Sequence, residues 1–305
     1  MKRTRLVLAT AVVASALALT ACGGGSDPLA TTPSSAAASD TIVVGSANFP
    51  ENALLAQIYA GALSAKGVKV TTKLNIGSRE TYIPGLEDGS IDLIPEYSGV
   101  LLQYFNKDAT AVSSDDVYAA LKTAVPAKLT VLDQSAAEDK DAIVVTKATA
   151  TKYNLTSIAD IKPVEGKIVM GGPPELKTRP TGLPGVKKLY DVTFKSFKSL
   201  DAGGPLTVSA LKNGTIQAGD IFSTDPNIAA QGWVVLQDPK FLFAAQNVLP
   251  LINQAKASTT VTAALNGVSA KLTTPVLSDL VKQVVLDKKD PETVAKTFLT
   301  TNSLG

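Results

Sequence analysis

Two stretches far apart in this chain follow one grammar, and that repeat constrains the fold more than any other feature. Asp88-Gly89-Ser90-Ile91-Asp92-Leu93-Ile94-Pro95-Glu96-Tyr97-Ser98-Gly99 reads as a helix stop, a short buried strand and a polar exit. Asn213-Gly214-Thr215-Ile216-Gln217-Ala218-Gly219-Asp220-Ile221-Phe222-Ser223-Thr224-Asp225 repeats it. Counted from the isoleucine, Tyr97 and Phe222 fall at the same offset, so one aromatic closes each matching strand. The repeat predicts two similar lobes facing each other across a cleft.

The flanking sequence extends the match. Ile42-Val43-Val44 breaks into Gly45-Ser46, as Ile168-Val169-Met170 breaks into Gly171-Gly172-Pro173-Pro174. In the first half, apolar spacing predicts a helix over 51–66 stopped by Gly67, a strand over 68–74, a short helix, and a strand over 91–94. In the second half the same order runs through a helix over 185–190, a strand over 194–197, a helix over 206–211 and a strand over 215–221. Strands alternating with helices are the signature of an α/β fold with parallel sheets. Further helices are predicted over 98–105, from the Ser113 cap to Ala124, and over 261–272, 275–286 and from Asp290-Pro291 onward. The last three need a host, and the first lobe is the natural one. The expected organisation is lobe 1 over 41–145, lobe 2 over 146–245, and a return to lobe 1 over 246–305, with two crossings.

Residues 1–40 read as an address. A positive start, Met1-Lys2-Arg3-Thr4-Arg5, precedes an apolar run over 6–19 that is short for a membrane span. Its end, Leu19-Thr20-Ala21-Cys22, resembles the bacterial lipobox, which predicts a signal peptide over 1–21 and acylation of Cys22. Acyl chains add about 0.8 kcal/mol per buried methylene, and stable anchoring takes more than one chain. Residues 22–40, rich in Gly, Ser, Thr, Ala and Pro, form a tether with a typical span of roughly 20–25 Å.

Composition narrows the chemistry. The 305 residues contain no histidine, the commonest general base and metal ligand, and Cys22 is the single cysteine. A net charge of +2 with dispersed Lys and Arg offers no stripe for nucleic acid. The expected catalytic, metal and cofactor assignments are therefore none. Glu96 and Asp220 form one pair of carboxylates of the glycosidase kind, and Asp201, Asp220 and Asp225 one acidic set. The simpler reading of both is acids that orient loops.

Ligands of open α/β sheets sit beyond the carboxyl ends of the strands. The loops there carry Asn48, Phe49, Asn52, Ser78, Arg79, Glu96, Tyr97, Pro173, Arg179, Asp220, Phe222 and Thr224. They offer aromatic faces, amides, hydroxyls and charges of both signs.

Ile42-Val43-Val44-Gly45-Ser46-Ala47-Asn48-Phe49-Pro50-Glu51-Asn52 resembles the opening of the quaternary-amine substrate-binding proteins of ABC transporters. The Asp88–Gly99 stretch, Pro173-Pro174-Glu175-Leu176, Phe222-Ser223-Thr224-Asp225 and Trp233-Val234-Val235-Leu236 continue the likeness. The resemblance implies the type II periplasmic-binding-protein fold: two α/β lobes, a two-strand hinge, and closure around a small solute. It further implies an extracytoplasmic, lipid-anchored monomer that serves the permease subunits of an ABC importer, with glycine betaine, choline or carnitine as ligand. In that family a cage of aromatics encloses a trimethylammonium group. Tyr97 keeps one cage position and Phe222 replaces a tyrosine with another π face. Two more positions depart, because Asp141 and Gln246 stand where tyrosines are usual. The incomplete cage keeps open a different ligand in the same cleft, anionic or polyhydroxylated, gripped by Arg79 and Arg179.

Overall fold

The β-branched run at Ile42 forms β1 (Ile42–Ala47), and the chain turns at Phe49 into α1 (Pro50–Ser64), with proline in the first turn. The structure, a computed structural model, describes residues 41–305; the signal peptide, Cys22 and the tether lie outside them. β2 (Val70–Gly77), α2 (Arg79–Glu87) and β3 (Leu93–Tyr97) follow. Then come α3 (Ser98–Phe105), α4 (Ser114–Ala124) and β4 (Leu129–Val131). The second half contains β5 (Asp141–Val145), α5 (Lys147–Tyr153), a 3-10 stretch at Ile158–Lys167, β6 (Val169–Gly172) and α6 (Leu183–Tyr190). It continues with β7 (Ser196–Ser199), α7 (Pro205–Lys212), β8 (Ala218–Phe222), α8 (Asn227–Ala230) and β9 (Val234–Val235). β10 (Val248–Asn253), α9 (Thr259–Ser269), α10 (Thr274–Val285) and α11 (Pro291–Thr301) close the chain.

The strands make two sheets, ordered β2-β1-β3-β10-β4 and β7-β6-β8-β5-β9. Each is a parallel triplet extended by an antiparallel strand and then an edge strand. One boundary differs from the sequence expectation. The sequence places residues 141–145 in lobe 1, but β5 pairs antiparallel with β8 in the second sheet. The run Asp141-Ala142-Ile143-Val144-Val145 suits a buried strand in either lobe, and only long-range pairing decides between them. The chain therefore leaves the first lobe after β4, and it returns with β10. The two crossings lie side by side: Asp139 N donates to Gln246 O at 3.1 Å and Val248 N to Ala137 O at 3.0 Å. They form a two-strand hinge.

The repeat extends to individual hydrogen bonds. Gly89 and Gly214 both take positive φ, +82° and +76°, a conformation that glycine adopts without steric cost. Asp88 Oδ1 accepts from Ser90 N at 2.8 Å, and Asn213 Oδ1 from Thr215 N at 2.9 Å, the same side-chain-closed turn. Next, Asp92 Oδ2 accepts from Val43 N at 2.9 Å, and Gln217 Oε1 from Val169 N at 3.1 Å. Each polar side chain thus docks the start of the third parallel strand onto the first.

Helix α1 is covered on nearly all sides. Leu54, Leu55, Ile58 and Leu63 share one core with Val261, Leu265, Leu277, Val294 and Phe298 of the three C-terminal helices. Each such side chain contributes about 1.5–3 kcal/mol on burial. Because α1 also begins at the cleft, this core holds the start of the helix, and with it one wall of the site, in place.

Candidate functional site

The strand ends of the two sheets enclose a cavity of ≈150 Å³ between the lobes. Asn48, Phe49, Ser78, Arg79 and Tyr97 line it from the first lobe. Asp141, Pro173, Arg179 and Phe222 line it from the second, and Gln246 from the returning hinge strand. Asn52, Glu96, Asp220 and Thr224, the other four candidates, do not line it.

Three aromatics form one wall. The Phe49 ring lies between the other two, with its centroid 6.0 Å from that of Tyr97 and 4.9 Å from that of Phe222. The two matched strand ends thus meet through the loop after β1. Phe49 is aimed by its neighbours: Asn52 Oδ1 accepts from Ala47 N at 2.7 Å, and its Nδ2 donates to Pro95 O at 2.9 Å. Asn52 is a fully buried brace for this loop.

Glu96 is a second brace. Its carboxylate accepts from Arg79 Nε and Nη2, both at 2.7 Å, from the Tyr82 hydroxyl at 2.6 Å and from Tyr97 N at 2.9 Å. Burial disfavours the Arg79 charge, yet the Glu96 carboxylate beside it outweighs that and raises the guanidinium pKa. Glu96 is completely buried and Asp220 nearly so, in different lobes, which removes the carboxylate pair as a reacting unit. Among the described residues Asp220 Oδ2 has no hydrogen-bond partner, and burial together with the Asp141 charge pushes its carboxyl well up. Asp201 is engaged locally: its oxygens accept from Leu206 N and Thr207 N at 2.9 and 2.8 Å, at the start of α7. Asp225 Oδ1 accepts from Asn227 N at 2.7 Å.

Two acids that sequence reasoning missed adjoin the aromatics: Glu51 stands behind them and Asp139 lines the cavity. Glu51 accepts from the Tyr97 hydroxyl at 2.8 Å and from the Thr224 hydroxyl at 2.5 Å, so its carboxyl ties the lobes together. Asp139, on the outgoing hinge strand, accepts from Thr224 N at 2.9 Å and Ser223 Oγ at 3.2 Å. Burial raises the Glu51 carboxyl, and burial with the Glu51 charge raises Asp139 well above the usual range. Thr224 thus acts as a linker rather than as part of the cavity wall. Glu51 stands inside the 42–52 motif and is legible there. Asp139 carried no local signal, because only hinge pairing brings it to the site.

The rest of the wall is polar. Gln246 Nε2 donates to Asp141 Oδ2 at 3.1 Å, and Asp141 faces Phe222 across the β5–β8 pairing. Glu175 also lines the cavity.

One family model, "Substrate binding domain of ABC-type glycine betaine transport system", matches residues 40–301. The glycine betaine-binding protein YehZ of Escherichia coli is 26% identical over 276 residues, which cover 86% of this chain and 90% of YehZ. The carnitine transport binding protein OpuCC of Listeria monocytogenes is 25% identical over 271 residues, 87% of each chain. A solved glycine betaine/carnitine/choline ABC transporter structure superposes with a TM-score of 0.67 at 22% identity, over 86% of this chain and 99% of that one. A choline-binding protein of an ABC transporter, in complex with choline, gives 0.63 at 15% identity, over 87% and 89%. These structures share the type II periplasmic-binding-protein fold.

Proposed function

The chain belongs to the family of substrate-binding domains of ABC-type glycine betaine transport systems, and from that premise we propose that it captures a small compatible solute between its lobes and delivers it to the permease of an ABC importer. It is a binding protein and not an enzyme. The observation that carries the reading is the cavity enclosed at the strand ends of both lobes, with the Phe49 ring tilted against both Tyr97 and Phe222. Closing two lobes about a hinge gives the permease a ligand-dependent shape to recognise. The relatives' names direct the first ligand reading to solutes such as glycine betaine, choline and carnitine. A second reading, a different polar solute in the same cavity, is favoured by Asp141 and Gln246 in its wall.

Calorimetric titration with betaine, choline, carnitine, proline and polyols tests both readings, with small-angle scattering reporting lobe closure. Saturable binding with a decrease in radius of gyration is expected. Absence of any saturable response across the panel would overturn the compatible-solute reading.

The protein works outside the cytoplasmic membrane, as binding proteins of ABC importers do. Among the described residues no helix is long and apolar enough to cross a membrane. The lipobox-like Leu19-Thr20-Ala21-Cys22 supports acylation of Cys22 as the membrane anchor of a monomer. Fatty-acid labelling lost in Cys22→Ser is the expected result. Labelling that persists would place the anchor elsewhere.

A further inference from the structure

The charges around the cavity do not cancel. Arg79 gives its Nε–Nη2 edge to Glu96, and Arg179 gives the same edge to Glu80 at 2.9 and 2.8 Å. A guanidinium held in this forked way has its charge matched by the protein before any ligand arrives. Of the acids that remain in the wall, Asp139 and Asp201 are held by backbone amides and hydroxyls. Asp141 and Glu175 have no such forked partner, though Arg79 and Arg179 both feel the Asp141 charge. Among the described residues no lysine or arginine lies within ion-pair distance of Asp141 or Glu175. Asp141 opens β5 at the cavity, and the one hydrogen bond it receives comes from the neutral Gln246 amide. The polar side of the cavity is therefore rich in hydrogen-bond acceptors and carries net negative charge, opposite an aromatic wall.

We infer that the ligand is an organic cation bearing N–H donors and no carboxylate, a protonated amine or guanidinium, which directs its N–H groups to Asp141 and its carbon skeleton to Phe49, Tyr97 and Phe222. This rests on the reading of the chain as a solute-binding protein. A fully alkylated ammonium offers attraction to the aromatic faces but no donor, so it strips water from the Asp141 carboxylate and leaves it without a replacement bond. A zwitterion adds a carboxylate beside Asp141 and Glu175, in a wall whose two guanidiniums already have their charge matched by Glu96 and Glu80, and like charges in a cavity repel. An N–H cation meets both requirements. Its hydrogen bond to a carboxylate is of the charge-assisted kind, which discriminates by a factor of about ten or more.

A matched series separates the effects: 2-aminoethanol, its N,N-dimethyl and N,N,N-trimethyl forms, and glycine betaine, titrated by calorimetry into the protein and into Asp141→Asn. The expected result is that the two forms retaining N–H bind at least about tenfold tighter than the trimethyl form and betaine. That preference should disappear in Asp141→Asn. Equal or tighter binding of the trimethyl form or of betaine would overturn the inference and leave the solute-binding role standing. The same holds if only proline or a polyol saturates the protein. If no solute of either panel binds, both fail together. The series on the unaltered protein decides the matter even should Asp141→Asn not fold.

Discussion

Arg179 reaches from the second lobe to the first and donates from Nε and Nη2 to the Glu80 carboxylate at 2.9 and 2.8 Å. The pair sits at the cavity, since Arg179 lines it, and joins residues 99 positions apart in the chain. Together with the Thr224–Glu51 hydrogen bond it gives the closed arrangement two links between the lobes. Neither link requires the ligand, so both bias the hinge toward closure.

Removing the first link should loosen closure; Glu80 does not line the cavity, but its partner Arg179 does, so the loss also releases that guanidinium at the wall. A partly exposed ion pair is worth about 0.5–1 kcal/mol, so Glu80→Gln should weaken ligand binding about two- to fivefold, with the loss in the dissociation rate. Stopped-flow and calorimetry measure it. High salt should weaken the unaltered protein in the same direction and leave the variant nearly unaffected.

The carboxyls set a pH profile with two opposing limbs. Burial works against the Glu80 charge, but Arg179 overrides it and lowers the carboxyl to about 2. Its contribution to closure is therefore present above the ordinary carboxylate value, near 4.3, and lost as pH falls toward 2. Glu51 and Asp139 are raised, so closure binds their proton more tightly than a solvated state does. Their contribution is present below about 4 and diminishes as pH rises toward the raised values. Affinity and melting temperature should fall on the alkaline side of about pH 4, and Glu51→Gln should flatten that limb. A profile unchanged by Glu51→Gln would show that protonation of Glu51 does not couple to closure.

The aromatic wall should respond position by position. Phe49 contacts both other rings, and aromatic pairs are worth about 0.5–1.5 kcal/mol each, so Phe49→Ala should cost affinity by roughly tenfold or more. Tyr97→Phe keeps the ring and removes the hydroxyl that donates to Glu51, so it should shift the pH profile more than the affinity. Unchanged affinity in both Tyr97→Ala and Phe222→Ala would exclude the wall from the ligand site.

Glu96 should act through stability. Glu96→Ala leaves the buried Arg79 guanidinium without its partner, a loss of about 3–5 kcal/mol by urea denaturation. Replacing Arg79 and Glu96 together by Met and Leu should recover much of that stability, because an apolar pair escapes the cost of burying charge.

By itself the sequence determined the repeated lobe. Helical spacing, glycine stops and β-branched runs act over a few residues, so the matched stretches, the end of each third strand at Tyr97 and Phe222, and the Ser113 and Asp290 caps were all legible locally. Phe49 and Arg79 could be placed near strand ends by the same means, whereas Asp141 and Gln246 were legible only through the family resemblance. The tertiary structure alone decided which sheet β5 joins, since its pattern suits either lobe and pairing is long-range. It alone brought Asp139 to Glu51 through the hinge, and it turned Glu96 and Asp220 away from the cavity. Local pattern tells which side chains are apolar and where strands end. Which carboxylate finds a guanidinium, and which is left facing the cavity, follows only from how distant segments pack.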